Sequence, residues 1–339
     1  MHEREILAHI EHASRDMAAR FPQVRIGPGD DCAEIAPDPT RPLLVTTDQV
    51  VEGVHIASRS DLPHGDEAAL ADWIDLAARK AVARSISDIA AMGGTPLALV
   101  ATVCGPRDTP RELVEALSDA LHAHAAAFAC PAVGGDIASF ARGVDAPMVL
   151  TTTVMGQPHA IGSVLRRGAK VGDSVWVTGH LGGSLVSGKH ATFTPRVEEA
   201  RWLCDAAIAH GASPLHAVPL HAMMDLSDGL GIDADRLARA SGVSIVIDAD
   251  ALPKHDGVAT WRQAMGDGED YELLFVADAA WKLPSEIVLP GRRVPLTRVG
   301  TVEAAGEAAG EVAAQGDAAC YVRLADGSLE PAANLGWEH

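Results

Sequence analysis

Apolar residues recur along this chain in two rhythms, one helical and one extended. Over Ala68–Met92 the spacing of Leu70, Trp73, Ile74, Ala77, Ala81, Ile86 and Ile89 keeps to one helical face and predicts a long helix, stopped by Gly93-Gly94. The same period predicts helices over Ile6–Arg20 and Leu113–Phe128, and a further one running from Ser227-Asp228-Gly229 to about Ala240, where Gly242 supplies the cap. Short apolar runs rich in β-branched residues predict strands at Leu43–Thr47, Leu97–Val103, Met148–Val154, Ser174–Thr178 and Val243–Ile247. The segment "GDGEDYELLF" reads as a turn feeding a strand, and Gly27-Pro28-Gly29 and Gly134-Gly135-Asp136 read as glycine-rich turns. Glu303–Ala319, rich in alanine and glycine, is expected to be a surface loop or hairpin. Strands and helices interleave, so the expected class is α+β, mixed α and β. With 339 residues there is room for about two domains, and the composition shift at Gly156-Gln157-Pro158 places their boundary between 1–155 and 156–339.

Composition alters this picture little, because 47% hydrophobic and 22% charged residues are ordinary for a soluble globular protein. Charge alters it more. Lys+Arg 27 against Asp+Glu 46 gives a net charge of −19, which argues against a nucleic-acid partner and means that an anionic substrate must be met through cations. The five cysteines, Cys32, Cys104, Cys130, Cys204 and Cys320, show neither zinc-site spacing nor a paired framework, so a reducing cytoplasm is expected. Met1–Arg20 lacks the apolar core of a signal peptide and no run is long enough to span a membrane, so no membrane partner is expected.

The chemistry is signalled by carboxylates standing alone in apolar sequence. Asp88 is the only formal charge between Arg84 and Arg107, Asp136 the only one between Asp119 and Arg142, and an uncharged run reaches from Asp205 to Asp225. A carboxylate carried into an interior needs a partner, since burying an unpaired ion costs roughly several kcal/mol. No arginine stands near these acids in sequence, and hard oxygen donors favour magnesium. Bland roles stand beside this one: Ser227 and Asp228 as helix caps, Asp30 and Asp31 as turn residues, Asp88 on a solvated face, His55 as a packed histidine. Seven acids expected at element ends (Asp30, Asp48, Asp88, Asp136, Asp225, Asp228 and Glu269) would each need a separate such excuse. Gly183–Lys189 has the G-x-x-x-x-G-K spacing of a phosphate-cradling loop, but His190 stands where the magnesium-binding hydroxyl belongs, and a glycine turn that binds nothing is the alternative.

The stretches "GPGDDCAEI", "TTDQVVEGVHI", "SISDIAAMGGTP", "AVGGDIAS", "RRGAKVGDSVWVTG", "MMDLSDGLGID", "GDGEDYELLF" and the terminal "LGWEH" follow one another in an order that resembles the thiamine-monophosphate kinase family. That family sits within the superfamily of aminoimidazole ribonucleotide synthetase, selenophosphate synthetase and a hydrogenase-maturation protein. The resemblance implies a two-domain aminoimidazole ribonucleotide synthetase-like architecture whose amino-terminal domains pair in a homodimer, with ATP and several Mg2+ ions bound between the domains. It implies transfer of the ATP γ-phosphoryl group directly to thiamine monophosphate. By motif position, Asp30, Thr46, Thr47, Asp48, Asp88, Asp136, Asp225 and Asp228 are expected to be the magnesium shell, with Asp30, Asp225 and Asp228 catalytic. Gly135, Asp136, Arg166 and Ser227 are the expected ATP contacts, and His55, Glu269 and Trp337 the substrate contacts. "AARKAVARSISD" and "GGDIAS" depart from the family's usual wording while leaving the acids in place. Two alternatives stay open. One is another ATP-dependent synthetase of the superfamily, although no cysteine precedes Cys32 and the chain ends Trp337-Glu338-His339. The other is a catalytically silent nucleotide-binding paralogue.

Overall fold

Alternation of apolar and polar residues decides which face of each strand is covered. The computed structural model describes residues 20–26, 34–144, 146–210, 218–306 and 319–337, together with His9 and His12. Expectations for Ile6–Arg20, the Gly27-Pro28-Gly29 turn, Asp30, Asp31 and most of Glu303–Ala319 therefore lie outside the described residues. The chain divides into two units, Met1–Ile89 with Thr95–Gln157, and Ala90–Gly94 with Pro158–His339.

In the first unit, short strands β1 (Val24–Ile26) and β2 (Glu34–Ile35) pair with each other. β3 (Leu44–Val51), α1 (Glu67–Ala91), β4 (Thr95–Gly105), α2 (Arg111–Ala127), β5 (Ala132–Ser139) and β6 (Val149–Gln157) follow, with the strands ordered β3-β6-β4-β5. On β3, Leu44, Thr46, Asp48 and Val50 share the covered face, and their register partners Val154, Thr152 and Leu150 on β6 are buried. Helix α1 lies on that face, where Thr152 Oγ1 donates to the Ala81 carbonyl at 2.7 Å and Ser85 Oγ lies 2.8 Å from Thr152 Oγ1. Helix α2 joins the parallel pair β4 and β5 and buries Leu113, Leu117, Leu121 and Ala125 at helical spacing. On the opposite face Val45 is 62% exposed, and Thr47, Gln49, Thr102 and Asp136 are exposed with it.

Two readings of the sequence are corrected here. Gly134-Gly135-Asp136 is not a turn but the middle of β5, paired in register with Val100, Ala101 and Thr102. Its glycines answer to close backbone approach, because a Cβ on Gly135 would lie 1.8 Å from the Ala101 carbonyl oxygen. We expect Gly135→Ala to destabilise this unit by about 1–3 kcal/mol, read as a lowered thermal midpoint, with Gly134→Ala much milder because its Cβ meets only Val100 Cγ1 at 3.9 Å. β3 also runs past Asp48 to Val51, so Asp48 sits inside a strand rather than at its end.

The second unit is built on a larger sheet. β7 (Ser174–Thr178), short helices α3 (Ser184–Ser187) and α4 (Lys189–Thr192), α5 (Val197–Ala209), β8 (Leu220–Asp225), α6 (Leu230–Ser241), β9 (Val243–Asp248), α7 (Trp261–Gly266), β10 (Leu273–Ala277), β11 (Glu286–Leu289), β12 (Arg292–Ala304), β13 (Cys320–Arg323) and β14 (Leu329–Pro331) follow in order. The strands are arranged β14-β13-β9-β12-β7-β10-β8, with β11 paired to β12. β10 explains the unbroken apolar run of "ELLF": Leu274 and Val276 enter one core with Leu230, Leu237 and Ala238 of α6, while Leu273, Phe275 and Ala277 enter another with Ala200, Leu203 and Cys204 of α5. A strand covered on both faces has no polar alternation to show. As expected, α6 ends at Gly242, which takes φ 69. Among the described residues, no helix is long and apolar enough to cross a membrane.

Candidate active site

In the first unit one face of α1 carries Lys80, Arg84 and Asp88, each a turn apart, and the β3 segment answers all three. Thr46 Oγ1 donates to Asp88 Oδ2. Arg84 donates to the Gln49 carbonyl at 2.8 Å and lies 3.8 Å from Asp48 Oδ1. Fully buried Lys80 donates through Nζ to the His55 carbonyl at 2.6 Å, and Val51 N–H donates to His55 Nδ1 at 3.1 Å. Thr46, Asp48 and Asp88 thus come together, and His55 is tied to the same helix by its backbone. Thr47 and Asp136 do not join them: both lie on the opposite face, where the Thr47 hydroxyl accepts from Thr153 at 3.0 Å. Asp48 also has an arginine partner, Arg84, which comes from another element.

In the second unit β8 ends on Asp225, which is 3% exposed, and the chain turns through Ser227 and Asp228 into α6. Neither Ser227 nor Asp228 caps that helix. The cap position is Gly229, and the helix start is held by Asp233, whose Oδ2 accepts from Asp228 N–H at 3.0 Å and Gly229 N–H at 3.2 Å. Burial and the neighbouring Asp228 charge push the Asp233 carboxyl up to about 7. Arg236, two turns into α6, donates to Asp228 Oδ2, a second arginine that sequence proximity to the apolar run concealed. Arg166 is exposed, and its carbonyl accepts from Ser241 Oγ at 3.3 Å.

The turn after α7 gathers the remaining residues. Glu269 N–H donates to the Ser227 carbonyl at 2.8 Å and Tyr271 N–H to the Leu226 carbonyl at 2.8 Å. Trp337 N–H donates to the Asp228 carbonyl at 2.9 Å, and its indole Nε1 donates to the Asp267 carbonyl at 2.8 Å. The ring lies against Gly268, where an added Cβ would come within 2.8 Å of it. Glu269 and Trp337, far apart in sequence, therefore sit on one turn beside Asp228, and Trp337 remains 51% exposed. Glu269 and Tyr271 hold φ of 53 and 49, left-handed values that cost a residue with a Cβ about 1–2 kcal/mol.

The Gly183–Lys189 loop is not shaped for phosphate. Gly182 N–H and Gly183 N–H already donate to the carboxylates of Asp270 and Asp267, and Lys189 Nζ lies 3.0 Å from Glu272 Oε1. An anion there would meet three acids. Asp267, Asp270 and Glu272, together with Arg196 and Asp233, were not singled out from the sequence, and Lys189 and His190 were read only as parts of the apparent phosphate loop. Asp270 and Glu272 leading straight into the apolar strand "LLF" are the signal that could have found the buried pair.

The donor set suits magnesium. Thr46, Asp48 and Asp88 in one unit and Asp225 and Asp228 in the other offer hard oxygens without sulfur or imidazole. Among the described residues no three His, Cys, Asp or Glu side chains form a metal-holding group. Magnesium commonly takes one or two carboxylates and completes its octahedron with water and substrate phosphate, so it does not require three acids in one place.

This mixed α/β fold is that of the AIR synthase-like proteins, and residues 29–157 match the family model "AIR synthase related protein, N-terminal domain". A thiamine-monophosphate kinase of Rhodopirellula baltica is 32% identical over 322 residues, covering 88% of this chain and 89% of the relative. A solved structure described as AaThiL complexed with AMPPCP and TMP aligns with a TM-score of 0.66 at 26% identity, over 90% of this chain and 89% of that one. The hydrogenase maturation protein HypE in complex with ATP shares the fold, with a TM-score of 0.67 at 16% identity over 97% and 95% of the two chains. The chain belongs to the thiamine-monophosphate kinase family.

Proposed function

We propose that this protein catalyses ATP-dependent phosphorylation of thiamine monophosphate to thiamine diphosphate, with ADP as the second product. The observation that carries this reading is the meeting of Glu269 and Trp337 on one turn beside Asp228. An acid and an exposed indole together suit a flat organic cation such as thiazolium, which pairs with the carboxylate and stacks on the ring. The kinase relatives and the nucleotide-analogue complex support the same reaction.

In this reading Asp30, Thr46, Asp48, Asp88, Asp225 and Asp228 hold magnesium, and Gly135, Asp136, Arg166 and Ser227 contact ATP. Magnesium held by these residues would supply charge neutralisation for two approaching polyanions. His55, Glu269 and Trp337 orient the acceptor. That acceptor is itself a phosphate with a second pKa of roughly 6, so its oxygen attacks without a strong general base and no residue need carry the phosphoryl group. Thr47 and Asp136 belong to the other face of the first unit's sheet, where Val45 is exposed while Val100 and Met155 pack against Val24, Phe21 and Ile35. Pairing of the amino-terminal domains in a homodimer, as the family resemblance implies, is part of the same proposal. Cytoplasmic residence belongs to the same proposal and accords with the free thiols of Cys104, Cys130, Cys204 and Cys320.

The test is formation of ADP and thiamine diphosphate from ATP and thiamine monophosphate, with and without a chelator. Product formation that stops on chelation supports the reading, and no product at any magnesium concentration overturns it. Trapping a phosphorylated side chain during turnover would contradict direct transfer. Trp337→Ala is expected to raise KM for thiamine monophosphate severalfold while KM for ATP stays within twofold, because stacking on a cation is worth about 1–2 kcal/mol. An equal rise for both substrates removes Trp337 from the acceptor site.

A further inference from the structure

The acids of the turn at 267–272 are each met by a group from one short stretch, 182–190. Gly183 N–H donates to Asp267 Oδ2 at 2.8 Å. His190 Nδ1 lies 3.4 Å from Glu269 Oε2. Gly182 N–H reaches both oxygens of Asp270, at 3.0 and 3.1 Å, and Ser184 Oγ donates to Asp270 Oδ1 at 2.6 Å. Lys189 Nζ donates to Glu272 Oε1 at 3.0 Å and to the His180 carbonyl at 3.2 Å. Phe193, just beyond α4, stacks on Tyr271 with ring centroids 3.9 Å apart. The turn these groups grip is the one whose backbone is held left-handed at Gly268, Glu269 and Tyr271. A backbone of that shape persists only where its surroundings over-determine it, and here they are the 182–190 stretch on the side-chain acids together with the Leu226 and Ser227 carbonyls and Trp337 on the turn's backbone.

We infer that this stretch is the positioning element of the acceptor site: it holds the turn, and through His190 the Glu269 carboxylate, in place for a substrate carrying a fixed organic cation. His190 Nδ1 reaches within 3.4 Å of the substrate-binding acid, and Lys189 anchors it by fastening α4 to fully buried Glu272. Asp270 fixes the other end of the stretch from between the two left-handed residues. The glycines that mimic a phosphate loop have a different purpose. Gly182 and Gly183 adopt φ of 79 and 70, and a Cβ on Gly182 would lie 3.0 Å from the Gln263 carbonyl oxygen, so they allow their N–H groups to approach the acids closely. The inference rests on the acceptor reading proposed above and extends it to residues outside the expected site.

The experiment is steady-state kinetics on the full-length protein with ATP, magnesium and thiamine monophosphate, paired with calorimetric binding of thiamine monophosphate alone. His190→Ala and Lys189→Met are expected to raise KM and Kd for thiamine monophosphate about five- to twentyfold, with kcat and KM for ATP within twofold, as loss of a contact holding the ground-state ligand demands. His190→Gln, which keeps a polar group toward Glu269, is expected to restore most of the loss. Glu269→Gln serves as the reference. If it weakens thiamine monophosphate while His190→Ala and Lys189→Met do not, the positioning role is overturned and the kinase reading stands. If Glu269→Gln leaves KM unchanged while product still forms, the acceptor contact is misassigned and the inference falls with it. A uniform drop in kcat and thermal midpoint across all variants, His190→Gln included, makes the stretch merely structural and overturns it as well.

Discussion

Asp225→Asn is expected to lower turnover more than about a hundredfold while leaving the fold intact. The side chain stands at the last residue of β8, with its backbone paired in register to Leu273, and is 3% exposed. Asparagine has the same shape and keeps one acceptor oxygen, so the strand and the Leu226 core behind it are undisturbed. What disappears is a negative charge in a site that otherwise excludes water, where a cation is held far more tightly by a carboxylate than by an amide. The contrast is Asp228→Asn, which also breaks the ion pair with Arg236 and should lose stability along with activity. Thermal melts and a magnesium titration of the initial rate separate the two. Retained activity with unchanged magnesium dependence in Asp225→Asn would strike that residue from the metal shell.

The parts of the fold legible in the sequence were those whose signal is local. The long helix α1 showed its apolar face, β7 its β-branched run, and α6 its terminal glycine. Asp225 and the Ser227-Asp228 turn could likewise be found, because an uncharged run reaching back to Asp205 leads into them. The β5 segment misled for a physical reason: Gly134-Gly135 has turn chemistry in isolation, and only the approach of the Ala101 carbonyl turns it into a strand requirement. Pairings made through space left no local trace. Arg84 meets Asp48, Asp233 takes over the cap that Ser227 or Asp228 was expected to supply, and Lys189 leaves an apparent phosphate loop to neutralise an acid far along the chain. The two faces of the first unit's sheet also needed strand parity to be told apart. Thr46 and Thr47 are neighbours in sequence, yet a period of two sends them to opposite faces.

Arg196→Met is expected to cost the second unit about 3–5 kcal/mol, the usual penalty for removing one partner of a buried ion pair, and to lower its thermal midpoint by roughly 10 °C. Glu272 is fully buried, and Arg196 grips both its oxygens at 2.6 Å, while Lys189 and Thr178 complete its partners at 3.0 and 2.7 Å. Glu199, also without exposure, shares Arg196 with Glu272 and takes Arg292 as its second cation at 3.0 Å. Burial alone would raise the Glu272 pKa. The charge and hydrogen bonds of Arg196, followed by the charge of Lys189, more than reverse this and hold it below its ordinary 4.5. Because the folded value is depressed, Glu272 contributes stability that is complete above about 4.5 and fades as pH falls through the folded value. Removing Arg196 lets burial dominate, so the carboxyl of the variant resists ionisation. The midpoint gap between parent and variant should then be widest near neutral pH and narrow as pH approaches the ordinary carboxylate range. Adding Glu272→Gln to Arg196→Met removes the stranded charge and should recover more than half of the loss. A gap that stays constant with pH, or a double variant no better than the single one, would show that Arg196 stabilises this unit through packing of its stem and not through its charge.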